Sequence, residues 1–174
     1  RNVSKREDKF KRGYGYEVYT NRGTWTRGIG TAAFGADFKN EITRPGEWRL
    51  FMEGYGETLP YHDNRIWLSH DKLDAFGMPR INMSMEYRDN ERAMARQMMD
   101  DAVEMMAAAG LENVKGFNHP VTPGSVIHEM GTARMGRDPK TSVLNGHNQV
   151  HAVPNVFVTD GSFMVSSPTQ NPSL

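Results

Sequence analysis

The sequence predicts an α+β fold, an antiparallel or mixed sheet packed by helices. Three observations predict it. Ile81-Asn82-Met83-Ser84-Met85-Glu86-Tyr87 alternates apolar and polar residues strictly, the mark of a half-buried strand. From about Asn90 to Ala109, Met94, Met98, Ala102, Met105 and Ala109 recur at helical spacing, with Arg92, Arg96, Asp100 and Glu104 on other faces. Glycines and prolines separate the remaining apolar runs into short pieces.

Taken in order, residues 1–44 read as an uncertain strand-and-loop region. Gly13-Tyr14-Gly15-Tyr16, Glu17-Val18-Tyr19-Thr20 and Thr24-Trp25-Thr26 suggest short strands with glycines at the bends. Residues 45–120 read as a sheet and a helix. Trp48 to Tyr55 is a strand ending at Gly56, and Arg65 to Ser69 is a second. Asp74-Ala75-Phe76-Gly77-Met78-Pro79 is a turn before the third strand. Asp89 or Asn90 can cap the helix, and Gly110 suits its left-handed end. Its methionine stripe reads as core packing against the sheet. Residues 121–174 change character: a proline-bearing loop, an apolar Val126-Ile127 run leading into His128, then a buried-strand signature at Val156 to Asp160.

Composition narrows the function. The chain has 174 residues, with Lys+Arg 21 balancing Asp+Glu 21, so no cationic excess exists to displace counterions from nucleic acid. No apolar run reaches the roughly 18 residues that read as a membrane-spanning helix. The hydrophobic fraction is 37%, which predicts a thin core. Without cysteine, disulfides, thiolate nucleophiles and Cys-based zinc sites are excluded. The chain opens on Arg1 and stops at Leu174 without a closing element, so it reads as a fragment cut at both ends. The compartment stays open between cytoplasm and periplasm.

Several residues could carry chemistry. Gly28-Ile29-Gly30-Thr31-Ala32-Ala33 has the G-x-G-x-x-A form of a dinucleotide fingerprint, with Glu53 at about the distance of a ribose-binding carboxylate. It reads as a decoy: no apolar strand precedes it, and Gly35 and Asp37 weaken any helix after it. His147 and His151 are four apart but flank a turn, so no metal site is expected. His62, His70 and His119 read as loop residues. Asp160-Gly161 and Asn171-Pro172 each read alone as turns. Arg134 suits a surface pair with Glu129 or a cofactor phosphate. His128 differs. A strand delivering it into the flexible Gly131-Thr132-Ala133 would place a base suited to neutral pH beside a ligand.

The run His128-Glu129-Met130-Gly131-Thr132-Ala133-Arg134-Met135-Gly136, followed by Asp138-Pro139, Val158-Thr159-Asp160-Gly161-Ser162 and Pro168-Thr169-Gln170-Asn171-Pro172-Ser173-Leu174, resembles the C-terminal part of the glucose–methanol–choline (GMC) oxidoreductases. Order and spacing agree, including the 43 positions from His128 to Asn171. Tyr55 to Pro60, Asn64-Arg65 and Asp74 to Pro79 resemble the family's substrate domain less specifically. The resemblance implies FAD-dependent oxidation of an alcohol or sugar. It implies His128 as the catalytic base and Asn171 as the partner that hydrogen-bonds the substrate oxygen. Asp160, Gly161, Ser162 and Pro172 are implied to lie against FAD. It also implies that residues 121–174 join a Rossmann-type FAD domain missing from this chain, and an electron-transfer partner. The competing reading is a non-catalytic carbohydrate-binding or structural sheet, with Trp25, Trp48, Trp67, Tyr55 and Tyr61 as a stacking surface. Exposed tryptophans on one sheet face would favour it.

Overall fold

The computed structural model describes residues 9–172. They form two compact units, Tyr16–Gly54 and the described residues that flank it on both sides. In line with the α+β prediction, the elements are small two-stranded sheets and two helices.

In the Tyr16–Gly54 unit, strand β1 (Tyr14–Arg22) pairs with β2 (Trp48–Gly56). Tyr19 stacks on Phe51 across the pair at 5.4 Å and donates its hydroxyl to Glu53 at 2.6 Å. Thr24-Trp25-Thr26 is not a strand. Residues Trp25–Gly30 form a 3-10 helix, and helix α1 (Gly35–Thr43) follows it. The helix forms despite Gly35 and Asp37 because Asp37 sits in its first turn, where a carboxylate meets the positive end of the helix dipole. Of the fingerprint-like glycines, Gly28 still serves packing, while Gly30 has open space beside it. A Cβ at Gly28 would stand 2.9 Å from both Phe38 Cζ and Ile42 Cγ2, so the space beside Gly28 is filled by α1. Arg27 donates to the carbonyls of Gly23 at 3.0 Å and Glu41 at 2.7 Å, and to that of Arg44.

In the other unit, β3 (Arg65–Leu73) and β4 (Pro79–Ser84) form an antiparallel hairpin, with Ile66 opposite Met83 and Leu68 opposite Ile81. The Asp74–Pro79 turn forms as predicted: the Asp74 carboxylate accepts from Phe76 N at 2.8 Å and Met78 N at 2.9 Å. β4 stops three residues earlier than the alternation suggests, because Asn64 takes over the pairing. Its amide donates to Glu86 O and its carbonyl accepts from Glu86 N, imitating a strand neighbour. The apolar face of the hairpin is exposed rather than half-buried: Ile66, Leu68, Ile81 and Met83 are all exposed, although the Met83 thioether lies against Gly124.

Helix α2 (Asp89–Ala108) is the predicted long helix. Its start is set neither by Asp89 nor by Asn90. Arg88 is the extended cap residue, and the Glu91 carboxylate accepts its N–H at 2.9 Å. Asn90 is engaged elsewhere, accepting from Lys11 N at 2.7 Å. Gly110, at φ +80°, follows the helix end, as expected. Only the N-terminal part of the methionine stripe is core: Met94 is buried against Gly56, whereas Met105 is exposed.

The thin core is real. Among the described residues, the buried apolar side chains are Phe10, Met94 and Leu144. Leu144 is fully buried, at the crossing of bridges to Met135 and Val150. Leu144→Ala should cost about 2–3 kcal/mol, the low end for a buried leucine because irregular loops around it can close in. Chemical denaturation of the full-length protein measures it.

Candidate active site

The residues that the resemblance singles out lie on loops. Val126-Ile127 does not form a strand, and Ile127 is 90% exposed. Val156 to Asp160 is likewise no strand. It makes one bridge, Gln149 to Phe157, and Phe157 is 57% exposed. Both runs are apolar enough to enter a sheet, but the described residues offer neither a partner strand. His128 is therefore carried by a loop and is half-buried.

That loop is held firmly against the next site segment. Ala133 N donates to Ser162 O at 2.9 Å. Gly131 adopts φ +80°, and a Cβ there would stand 3.2 Å from the Met164 carbonyl. At Gly161 the approach is closer. A Cβ would stand 2.5 Å from Met130 Sδ and 2.8 Å from Met130 Cε, so the absence of a side chain is what seats Met130. The Met130–Ala133 stretch, which follows His128, and the Asp160–Met164 segment thus share one packed surface.

Asp160 opens a short 3-10 turn, Gly161–Phe163. Its carboxylate accepts the Ser162 N–H at 2.8 Å and the Ser162 hydroxyl. The Ser162 hydroxyl first, and then the Ser162 N–H, hold the Asp160 carboxyl below the usual carboxylate range. Asp160 therefore stays ionised and organises the turn. On the other side of the His128 loop, Glu129 lies within electrostatic reach of Tyr87. Burial, then the Glu129 and Glu91 carboxylates, push the Tyr87 phenol up.

The tail is anchored at Thr169, whose side chain packs against Gly15. Beyond it Asn171 is exposed and Pro172 is half-buried. No hydrogen bond joins the side chains of His128 and Asn171 among the described residues. Among the described residues, Arg134 pairs with neither Glu129 nor another acid. Its guanidinium donates to Thr141 O at 2.7 Å, closing the turn at Asp138 to Thr141. His147 is exposed on a turn, while His151 is half-buried with Nε2 3.1 Å from Ser142 Oγ and 3.2 Å from Gly136 O. Tyr87 and Met130 escaped the sequence reading. An aromatic at a strand end and a methionine inside a glycine motif carry no spacing signal of their own.

Residues 60–174 match the family described as GMC oxidoreductase. This chain belongs to the GMC oxidoreductases. It is 32% identical, over 94% of its length, to 2-methyl-1,2-propanediol dehydrogenase of Mycolicibacterium austroafricanum, covering 30% of that protein. It is 31% identical over 80% of its length to the fructose dehydrogenase large subunit of Gluconobacter japonicus, covering 25% of it. It is 28% identical over 83% of its length to the gluconate 2-dehydrogenase flavoprotein of Pantoea cypripedii, covering 24% of it. The chain thus spans less than a third of each of these oxidoreductases, which act on alcohols or sugars.

Proposed function

We propose that this chain is the substrate and active-site portion of a longer flavin-dependent oxidoreductase that oxidises a CH–OH group of an alcohol or sugar. The observation that carries the reading is the bonding of two distant motif segments: Ala133, in the His128 motif, donates to Ser162 of the Asp160-Gly161-Ser162 turn. Three relatives named for diol, fructose and gluconate dehydrogenation support the substrate class. The name of one of them, a flavoprotein, supports the cofactor.

The surface fits the flavin end of FAD. Ile127, next to His128 in the chain, and Val165, three residues after Ser162, are exposed apolar side chains that a planar ring system would cover. It does not fit the nucleotide end. The Gly28 cluster, whose form suits a pyrophosphate, is filled by Phe38 and Ile42. An N-terminal domain of the same longer protein would hold that end, while Asp160, Gly161, Ser162 and Pro172 would lie along the flavin. FAD, when bound, supplies the acceptor of the hydride.

The chain's own groups then divide the work. His128 accepts the proton of the substrate hydroxyl. Asn171 donates a hydrogen bond to the same oxygen, which bears negative charge as the C–H bond weakens. Asp160, ionised and engaged with Ser162, fixes the turn. An electron-transfer partner would take the electrons onward; one relative is itself named as the large subunit of a dehydrogenase.

Anaerobic mixing of the full-length protein with diols, sugars and sugar acids tests the reading. Loss of oxidised-flavin absorbance with at least one class is expected, and its absence with all three refutes it. Asn171→Ala should slow that reduction about ten- to a hundredfold, the worth of one hydrogen bond to a developing charge.

The carbohydrate-binding reading keeps one observation in its favour. Trp25, Trp48 and Trp67 are all exposed. Yet Trp48 and Trp67 stand on separate two-stranded sheets, and each ring faces a guanidinium of its own chain, Arg22 at 5.5 Å and Arg65 at 5.3 Å. Saccharide binding without flavin reduction in the same mixing experiment would select it.

A further inference from the structure

We infer that Met130 is a positioning residue, the peg that holds the loop carrying His128 against the Asp160–Ser162 turn. The inference deepens the proposed function and rests on His128 being the base. It comes from the geometry of Gly161. A Cβ at that position would meet Met130 at Sδ and Cε, and the next nearest atom, Glu129 O, would be at an ordinary 3.9 Å. The space above Gly161 is therefore occupied by the tip of one flexible side chain. Gly161 needs no unusual backbone angle, since it is absent from the positive-φ glycines. Its lack of a side chain serves the thioether.

Met130 is two residues from His128, and the loop between them has no regular secondary structure to fix it. On the N-terminal side of His128, Gly124 lies against Met83; on the C-terminal side the loop is attached three times, by Met130 on Gly161, Gly131 against Met164 O, and Ala133 N on Ser162 O. The last two are backbone contacts that persist whatever side chain stands at 130. Of these three, Met130 on Gly161 is the attachment made by a side chain, and it lies two residues from His128, so it limits how far that part of the loop can drift from the turn. An unbranched thioether suits that seat because it can reach into a narrow gap between two backbones.

A misplacement of about 1 Å at a reacting group can cost on the order of a hundredfold in rate. Met130→Ala in the full-length protein should therefore lower the limiting rate of flavin reduction about ten- to a hundredfold. It should leave flavin content and substrate half-saturation nearly unchanged, and shift the pH profile of the reduction rate. Met130→Leu, which refills most of the gap, should recover most of the rate. Gly161→Ala, which evicts the thioether, should slow the reduction as well, and the double variant should be no slower than the slower single one.

His128→Ala, run alongside, separates the two readings. If it abolishes the titration in the rate profile while Met130→Ala leaves rate and profile intact, His128 is the base and the peg is refuted. If His128→Ala itself changes neither, the base assignment falls and the peg with it. A loss in Met130→Ala confined to thermal stability, with the pH profile unmoved, also overturns the inference.

Discussion

Flavin reduction in the full-length protein should slow by about 10²–10⁴-fold when His128 is replaced by Ala, the usual contribution of a positioned general base. The size of the effect follows from the chemistry proposed for the site. A C–H bond beside a neutral hydroxyl gives up hydride poorly, and removal of the hydroxyl proton puts charge on the oxygen that pushes the hydride out. His128 is half-buried on a loop whose following residues are bonded to the Ser162 turn, and the Asp160 carboxylate of that turn is already engaged by Ser162. FAD content should stay normal, because no flavin contact is assigned to the imidazole. Rapid-mixing absorbance under anaerobic conditions reads the rate, and the ratio of flavin to protein absorbance reads the loading. Reduction at the parent rate would remove His128 from the mechanism. A loss of flavin would instead make it a cofactor ligand.

How much of this was legible depends on what periodicity can report. β2, β3 and α2 stand close to where the patterns put them, because their residues alternate or recur at the pitch of the element itself. Periodicity reports apolarity, however, and not whether a partner is present. Val156-Phe157-Val158 has the composition of a buried strand, yet it makes one bridge, and Val156 and Phe157 are exposed. The same holds for Val126-Ile127 before His128, and for the exposed face of the β3–β4 hairpin. α1 was hidden for the opposite reason. Gly35 and Asp37 are poor helix formers in mid-helix but acceptable in a first turn, and no pattern says in advance which position they will hold. Leu144, the fully buried residue, sits with Val143 in an otherwise polar stretch, too short an apolar pair to show a period. Of the site, His128 and the Asp160-Gly161-Ser162 turn were legible through the order of their motif. The contacts tying them together, Met130 on Gly161 and Ala133 on Ser162, arise from chain segments about thirty residues apart and needed coordinates.

Removal of a carboxylate remote from the proposed chemistry should produce the largest loss of stability. Glu91 is 5% exposed at the start of α2 and accepts from Arg88 N at 2.9 Å, Leu59 N at 3.1 Å, Tyr61 hydroxyl at 3.1 Å and Asn90 Nδ2 at 3.0 Å. One side chain thus caps the helix and pins the Leu59–Tyr61 segment to it. Arg88 lies over the Tyr61 ring at 4.3 Å, which closes the cluster. Glu91→Ala leaves several partly buried donors without acceptors and should cost about 3–4 kcal/mol, more than the truncation of Leu144. The pH dependence follows from the same bonds. Burial pushes the Glu91 carboxyl up, but hydrogen bonds from the Arg88 and Leu59 N–H groups and from Asn90 outweigh it, so the folded carboxyl lies below its ordinary 4.5. A depressed folded value means that the stabilisation is complete above 4.5 and drains away as the pH falls through the lower folded value. Glu91→Gln keeps the shape without the charge, so its stability should lie below the parent's at neutral pH and converge with it in acid. Urea denaturation of both proteins from neutral pH down to the acid limit measures the gap. A gap that stays constant across that range would mean that the carboxylate is not what holds the start of α2 to the Leu59–Tyr61 segment.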